Sequence, residues 1–522
     1  MPSDPIFDPL PSPGKRRTLS RLSALSLAPW LPDVVMATPI HALPRSALVI
    51  GNGAYADAPL ANPVNDASAI GAKLTRLGFS VDLQINAKRE TMENAMRAYS
   101  ANLARNRSIG LFFFAGHGLQ LDWRNFLVPV GARLDKADDV PAQTVEIGRL
   151  LGELGKAGNP MNIVVLDACR DNPFGSEHRT GKGLSQMDAP IGTLLAYATA
   201  PGNVASDGAG KNGLYTENLL KEMDTPDSKI EDIFKRVRLA VRRSSHGQQI
   251  PWESTSLEED FYFIPPANLK KLSEEEIERL FVEEKSLWEK AKATNTPAAL
   301  AGYLRQYPSG HFAEVAQVIL DQLLARQGEK KLLIPDAAKN PYTKGSASRG
   351  TFRVGDRFEY RIIDQLTKLE TDSYTRTVTE ITDSEVIFNK GGFVTDLLGN
   401  SRRNARGERW GDSQFYAAEY SIGKTWSTRF DRTYPDGSTS KVDREFRVAG
   451  RESLTIPAGT FNAFRVETSG WAEKGKVRLE GTYWIAPSEV PGVLAFNQFH
   501  RDRGNRPVNT DRTELIAFSL GQ

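Results

Sequence analysis

Two residues in this 522-residue chain have the types and setting for nucleophilic chemistry. One is Cys169, the only cysteine, in the segment Met161-Asn-Ile-Val-Val-Leu-Asp-Ala-Cys169. The other is His117, held between Gly116 and Gly118 at the end of the apolar run Leu111–Phe114. A lone cysteine is ordinarily an inert small hydrophobe, and a lone histidine in a turn is ordinarily structural. Here both follow strand-like segments of the same α/β pattern, and their joint placement points to acyl transfer. A free thiol has a pKa of about 8.5, so at neutral pH it needs a base to become a nucleophile. An imidazole, with a pKa of about 6.5, can take that proton and later return it to a leaving amine. Glycines flanking the histidine permit a sharp turn and leave backbone N–H groups unobstructed. The N–H groups of Gly118 and Cys169 are the candidate donors to a tetrahedral oxyanion. The other five histidines lack this setting. His41 lies beside the N-terminal segment, His178 and His246 lie in polar loop sequence, and His311 and His500 lie in other parts of the chain.

The elements that must position this pair are legible from periodicity. Ser46–Asn52 reads as a buried strand. Ala67, Ile70, Leu74 and Leu77 mark one face of a helix from Asn62 that stops before Gly78. Phe79–Ile85 alternates as a strand does, and Met92, Ala95, Tyr99 and Leu103 mark a second helix. Ser108–Gly116 is a third strand, Val145–Leu154 a helix, Met161–Cys169 a fourth strand, and Gly192–Ala200 a fifth. Such alternation, with strands apolar on both faces, predicts a mainly parallel sheet covered by helices. In open parallel sheets, ligands gather at the carboxyl ends of the strands. His117 and Cys169 both fall there.

The remainder divides by composition. Residues 1–42 read as a signal or a disordered N-terminus, 43–265 as the α/β domain, 270–328 as a helical-repeat segment, 329–350 as a linker, and 351–522 as a β-rich domain. The helical segment opens on a capping box, Ser273 with Glu276. Trp288, Tyr303, Leu304 and Phe312 are its expected packing residues. The last region alternates in short strands separated by turns such as Pro435-Asp436-Gly437, which predicts an antiparallel all-β domain, as a sheet, sandwich or half-barrel. It carries no chemical motif. Trp410, Trp426, Trp471 and Trp484 are candidates to line a cleft there, although tryptophans in such domains are usually core.

The bulk numbers exclude several classes. With 66 basic and 64 acidic residues the net charge is +2, which gives no case for nucleic acid or an acidic membrane surface. One cysteine rules out an internal disulfide and a multi-thiolate metal site. No metal site is expected. Near the N-terminus, Lys15-Arg16-Arg17 precedes a moderately apolar stretch ending in Val35-Met36-Ala37. This arrangement resembles a twin-arginine export signal. Two prolines and Asp33 interrupt it, and the same interruptions argue against a membrane span. Export to a periplasm is the expectation if the signal works, and a cytoplasmic location otherwise.

An apolar strand ending in Gly116-His117-Gly118, followed by a second strand ending in Asp167-Ala168-Cys169-Arg170, resembles the caspase-like cysteine peptidases, the clan that includes metacaspases and paracaspases. The resemblance spans roughly residues 43–265. The stretches at Ala47–Tyr55, Leu60–Ile70 and Leu194–Gly208 occupy the places of that family's first strand, first helix entry and substrate-flanking strand. It implies a Cys169–His117 dyad without a third catalytic residue, polypeptide substrates and a thioester intermediate. It also implies that Asp66 and Asp167 read an Arg or Lys side chain, as acidic residues do in metacaspase-like members, since carboxylates favour a cation by charge and hydrogen bonding. Asp66 also fits simple capping of its helix, Asp167 also fits a turn-stabilising carboxylate, and Arg170 would tend to neutralise Asp167. Some members use calcium. The acidic loop Asp135, Asp138 and Asp139 fits no defined calcium loop, so no cofactor is expected. The functional expectation is therefore a cysteine-type endopeptidase cleaving after Arg or Lys. Its alternative is a catalytically silent or latent caspase-like scaffold whose helical and β regions bind protein partners.

Overall fold

The computed structural model describes residues 40–168, 183–200, 210–267, 272–329, 340, 343 and 345–521. The N-terminal segment through Pro39 lies outside the described residues, as do Cys169, Arg170 and His178.

The α/β part begins with strand β1 (Arg45–Gly51), helix α1 (Pro63–Arg76), β2 (Phe79–Ile85) and α2 (Arg89–Asn106). It continues through β3 (Ile109–Gly116), a small hairpin of β4 (Gly118–Leu121) and β5 (Arg124–Leu127), α3 (Asp139–Gln143), β6 (Val145–Glu146) and α4 (Ile147–Ala157). It closes with β7 (Asn162–Ala168), β8 (Thr193–Tyr197), α5 (Leu214–Glu222), α6 (Ile230–Ser244) and β9 (Trp252–Thr255). The main sheet runs β2-β1-β3-β7-β8-β9, parallel except for β9. The predicted helix from Val145 starts at Ile147, because Val145 and Glu146 add a short third strand to the β4–β5 hairpin.

The sheet is apolar on both faces, and alternation along each strand sorts the residues. Val49, Leu111, Phe113, Ile163 and Val165 pack with Ile70 and Leu74 of α1 and with Leu219, Ile233 and Val237 of α5 and α6. Leu48, Phe112, Phe114, Val164 and Leu166 pack with Met92, Met96 and Leu103 of α2 and with Leu150 and Leu154 of α4. A two-sided core of this kind holds β3 and β7 rigidly side by side, so that their ends form a fixed platform.

Three helices follow: α7 (Glu274–Thr294), α8 (Pro297–Gln306) and α9 (Ala313–Arg326). The Ser273–Glu276 capping box is formed in both directions. Trp288, Tyr303, Leu304 and Phe312 are all buried, with Trp288 stacked on Phe312 at 5.7 Å. The helices are anchored on both sides. Arg242 of α6 pairs with Asp321 of α9 at 2.6 Å, and Trp288 Nε1 donates to Asp412 Oδ2 at 2.7 Å.

From Arg357 the chain is antiparallel throughout, and the strands close into a twelve-strand barrel. The first strand, Arg357–Asp364, pairs with the last, Asp511–Ser519, and Val477–Ile485 pairs with both Gly459–Ala472 and Ala495–Arg501. Local alternation leaves a sheet, a sandwich and a half-barrel equally open. Closure depends on contacts between the two ends of the domain, which no local pattern reports. The four tryptophans do not share a lining: Trp410 and Trp426 are in the core, Trp471 is 55% exposed, and Trp484 donates to Glu452.

His500 is buried in the barrel wall, and burial together with the charges of Arg444 and Arg432 holds its pKa down to about 3. It is neutral in the folded chain, whereas in the unfolded chain it takes up a proton below about 6.5. Its contribution to stability is thus present above pH 6.5 and is lost towards pH 3, at about 1.4 kcal/mol per pH unit. Denaturation of wild type and His500→Gln between pH 7 and pH 5 checks this. The variant is expected to show the shallower loss of stability on acidification, and equal slopes would exclude His500 as a source of the acid sensitivity.

Candidate active site

His117 sits in the single non-strand position between β3 and β4. Its carbonyl accepts the Val128 N–H at 2.9 Å, and its own N–H donates to Tyr55 Oη at 3.0 Å. Tyr55 in turn donates from that hydroxyl to the Val128 carbonyl at 3.0 Å, so one phenol ties the β1–α1 loop to both sides of the turn. The Tyr55 and His117 rings lie 4.4 Å apart. This support was not visible in the sequence, since Tyr55 is a loop residue distant from His117 along the chain.

The imidazole is 5% exposed, and its Nε2 lies 2.7 Å from the Ala58 carbonyl oxygen. A carbonyl oxygen can only accept, so Nε2 carries the proton. In the neutral ring the basic lone pair is then on Nδ1. The geometry therefore fixes the tautomer as well as the orientation of the ring.

The flanking glycines have different tasks. Gly116 has φ of +151°, and a Cβ there would stand 2.6 Å from Tyr55 Oη and 3.0 Å from the Asn52 carbonyl oxygen. A Cβ on Gly118 would meet the Ala168 methyl at 3.0 Å and Leu184 Cδ2 at 3.1 Å. The bond from Val128 N–H to the His117 carbonyl makes Gly118 and Leu127 a non-hydrogen-bonded pair of the β4–β5 ladder, which leaves the Gly118 N–H outside that ladder.

The register between β3 and β7 pairs Ala115 with Asp167 and Gly116 with Ala168. His117 and Cys169 are the next residues along each chain, and Cys169 lies outside the described residues. Asp167 and Asp66 are brought together. Their Oδ2 atoms stand 3.7 Å and 3.2 Å from the point where a Cβ on Gly213 would be. Asp66 is 3% exposed, and its Oδ1 accepts from Asn212 Nδ2 at 2.8 Å and from the Gly213 N–H at 3.0 Å. Asp167 Oδ2 accepts from Thr216 Oγ1 at 2.7 Å. Gly213 is the N-cap of α5, so both carboxylates face the positive end of that helix. Asp66 thus bonds to the N-terminus of a helix other than its own. Beside them, burial and the Asp167 charge push the Tyr215 phenol well above its ordinary pKa. Asn212, Gly213 and Thr216 were missed in the sequence, where only the Gly-Leu helix start at 213–214 hinted at them. Of the acidic loop, Asp139 Oδ2 accepts from the N–H groups of Asp135 and Lys136.

Comparison with known proteins bears on the same region. Residues 44–262 match the family model described as the caspase domain. A stretch of 197 residues is 26% identical to the human mucosa-associated lymphoid tissue lymphoma translocation protein 1, covering 37% of this chain and 23% of that protein. The chain therefore spans about a quarter of the length of that relative. Residues 44–262 are therefore similar to the caspase domain, the family that the stretch at Gly116-His117-Gly118 resembles.

Gly116→Ala places a methyl against the Tyr55 hydroxyl in a backbone region hostile to side chains. A loss of about 2–4 kcal/mol in unfolding free energy is expected. Chemical denaturation of the variant checks it, and a loss under 0.5 kcal/mol would contradict the close packing described.

Proposed function

We propose that the chain is a cysteine-type endopeptidase in which Cys169 and His117 form a catalytic dyad and cleavage follows Arg or Lys. The observation that carries this reading is the β3–β7 register. Cys169 is bonded directly to Ala168, and consecutive Cα atoms are 3.8 Å apart. With Ala168 opposite Gly116 and neighbouring strands about 4.8 Å apart, this register supports the reading that the thiol and the imidazole share one edge of the sheet.

In this mechanism His117 Nδ1 takes the proton from the Cys169 thiol. The thiolate sulfur adds to the scissile carbonyl carbon, and the carbonyl electron pair moves to oxygen. The N–H groups of Gly118 and Cys169 stabilise that oxyanion. As the tetrahedral intermediate collapses, the C–N bond breaks and His117 delivers its proton to the departing amine. Water, deprotonated by the same imidazole, adds to the thioester and releases the acid and the free thiol. The Nε2–H bond to Ala58 supports this cycle because it keeps the lone pair on Nδ1.

Asp66 and Asp167 are the proposed contacts to the substrate cation. A carboxylate can receive a guanidinium in bidentate fashion, which suits both residues to a cationic side chain. Arg170 adjoins the nucleophile and would moderate their field. The helical and β regions are proposed to select protein partners or restrain access to the cleft. Export through the N-terminal segment, with Ala37 as the last residue removed, is part of the same proposal. The rival reading, a silent or latent scaffold, differs from it in having no reactive thiol.

A peptide carrying an arginine next to an alkylating warhead distinguishes the two. Wild type is expected to be labelled at Cys169, Cys169→Ala not at all, and His117→Ala at least roughly 100-fold more slowly. Asp66→Asn and Asp167→Asn are expected to raise KM for Arg substrates more than they lower kcat. Folded wild-type protein that resists the warhead would favour the scaffold.

A further inference from the structure

The barrel contains a buried cation with no acidic partner bonded to it among the described residues. Along the Thr439–Ile456 strand, Ser440, Val442, Arg444, Phe446 and Val448 are buried, and the residues between them face outward. Arg444 is 1% exposed. Its Nη1 donates to Tyr483 Oη at 3.3 Å, while Nε and Nη2 have no hydrogen-bond acceptor among the described residues. A guanidinium does not lose its proton in a protein. Burying one against a single neutral hydroxyl is costly unless an anion joins it.

The strand register shows what surrounds this group. Arg444 lies opposite Gly470, which pairs with Leu479, which pairs with His500. The next inward row is Phe446, Thr468, Gly481 and Gln498. Arg444 Nη2 stands 3.5 Å from the point where a Cβ on Gly481 would be, so the guanidinium reaches across the intervening strand over two side-chain-free positions. Three kinds of polar group in this neighbourhood are buried and have no hydrogen-bond partner among the described residues: Gln498 Nε2, His500 Nε2, and the hydroxyls of Thr468 and Thr513. Thr513 pairs with Phe496 on the adjoining strand. The nearby cation Arg432 already has Glu408, which accepts from its Nη2 at 2.7 Å. His500 is neutral beside these charges, so its ring offers one N–H and adds no repulsion. An eight-strand barrel is just filled by its side chains, and twelve strands enclose more.

We propose that the interior of the barrel is a binding site for a small oxyanion, a carboxylate or phosphate group, seated on the Arg444 guanidinium with Gln498, His500, Thr468 and Thr513 as further hydrogen-bonding partners. The fork of Nε and Nη2 suits two oxygens of one such group. The site is independent of the peptidase reading, since none of its residues belongs to the caspase-like domain.

The test is thermal unfolding of the full chain in sodium phosphate, sodium acetate or sodium chloride at matched ionic strength. Phosphate or acetate is expected to raise Tm above the chloride value in a saturable, concentration-dependent way. Which of the two does so identifies the head group. In Arg444→Met the midpoint of that rise is expected to move at least about ten-fold higher in concentration. If Arg444→Met does not fold, Gln498→Leu, which keeps the guanidinium, is expected to weaken the same midpoint at least about three-fold. An equal Tm for wild type in all three salts would overturn the proposal. So would a folded Arg444→Met with the wild-type midpoint or, where Arg444→Met does not fold, a Gln498→Leu with that midpoint.

Discussion

The candidate site depends on the register of two parallel strands. Gly116 lies opposite Ala168, and His117 and Cys169 are the next residues in the sequence after each. That register is itself held by burial on both faces. A slip by one residue would exchange Phe112 and Phe114 with Leu111 and Phe113 between the two helical layers. The cost of repacking both layers at once is what makes the tip geometry reliable. Everything nearer the chemistry is arranged around that frame: the Tyr55 phenol, the Ala58 carbonyl and the β4–β5 hairpin all act on the histidine turn.

A second constraint is electrostatic. Asp66 and Asp167 come from different elements and meet at the N-terminus of α5. Two close carboxylates repel each other, and the helix end together with the Asn212, Gly213 and Thr216 donors offsets that repulsion.

The three parts of the chain are bound into one body by specific polar contacts. Lys424 of the barrel pairs with Glu314 of α9 at 2.8 Å, and the Ala418 N–H donates to the same carboxylate. Burial opposes ionisation of Glu314, but the Lys424 charge prevails and keeps its pKa below the ordinary carboxylate value. A Cβ on Gly423 would collide with the Thr255 carbonyl oxygen, so the barrel's turn rests directly on β9.

Much of the α/β domain was legible in the sequence because its signals are local. Apolar runs such as Leu111–Phe114 declare buried strands, the spacing of Met92, Ala95, Tyr99 and Leu103 declares a helix, and a glycine-flanked histidine declares a special turn. The pairing of His117 with Cys169 as a question, and of Asp66 with Asp167 through family resemblance, also came from the sequence. Tyr55, Ala58 and the Asn212–Thr216 cap did not, because a hydrogen bond between distant loops leaves no periodic trace. The barrel shows the same division. Alternation announced its strands, and the structure then placed Arg444 inward in line with Val442 and Phe446. Closure of the barrel, and the lack of any acidic partner bonded to that arginine among the described residues, were decided by tertiary structure alone, since both depend on which strands meet across the fold.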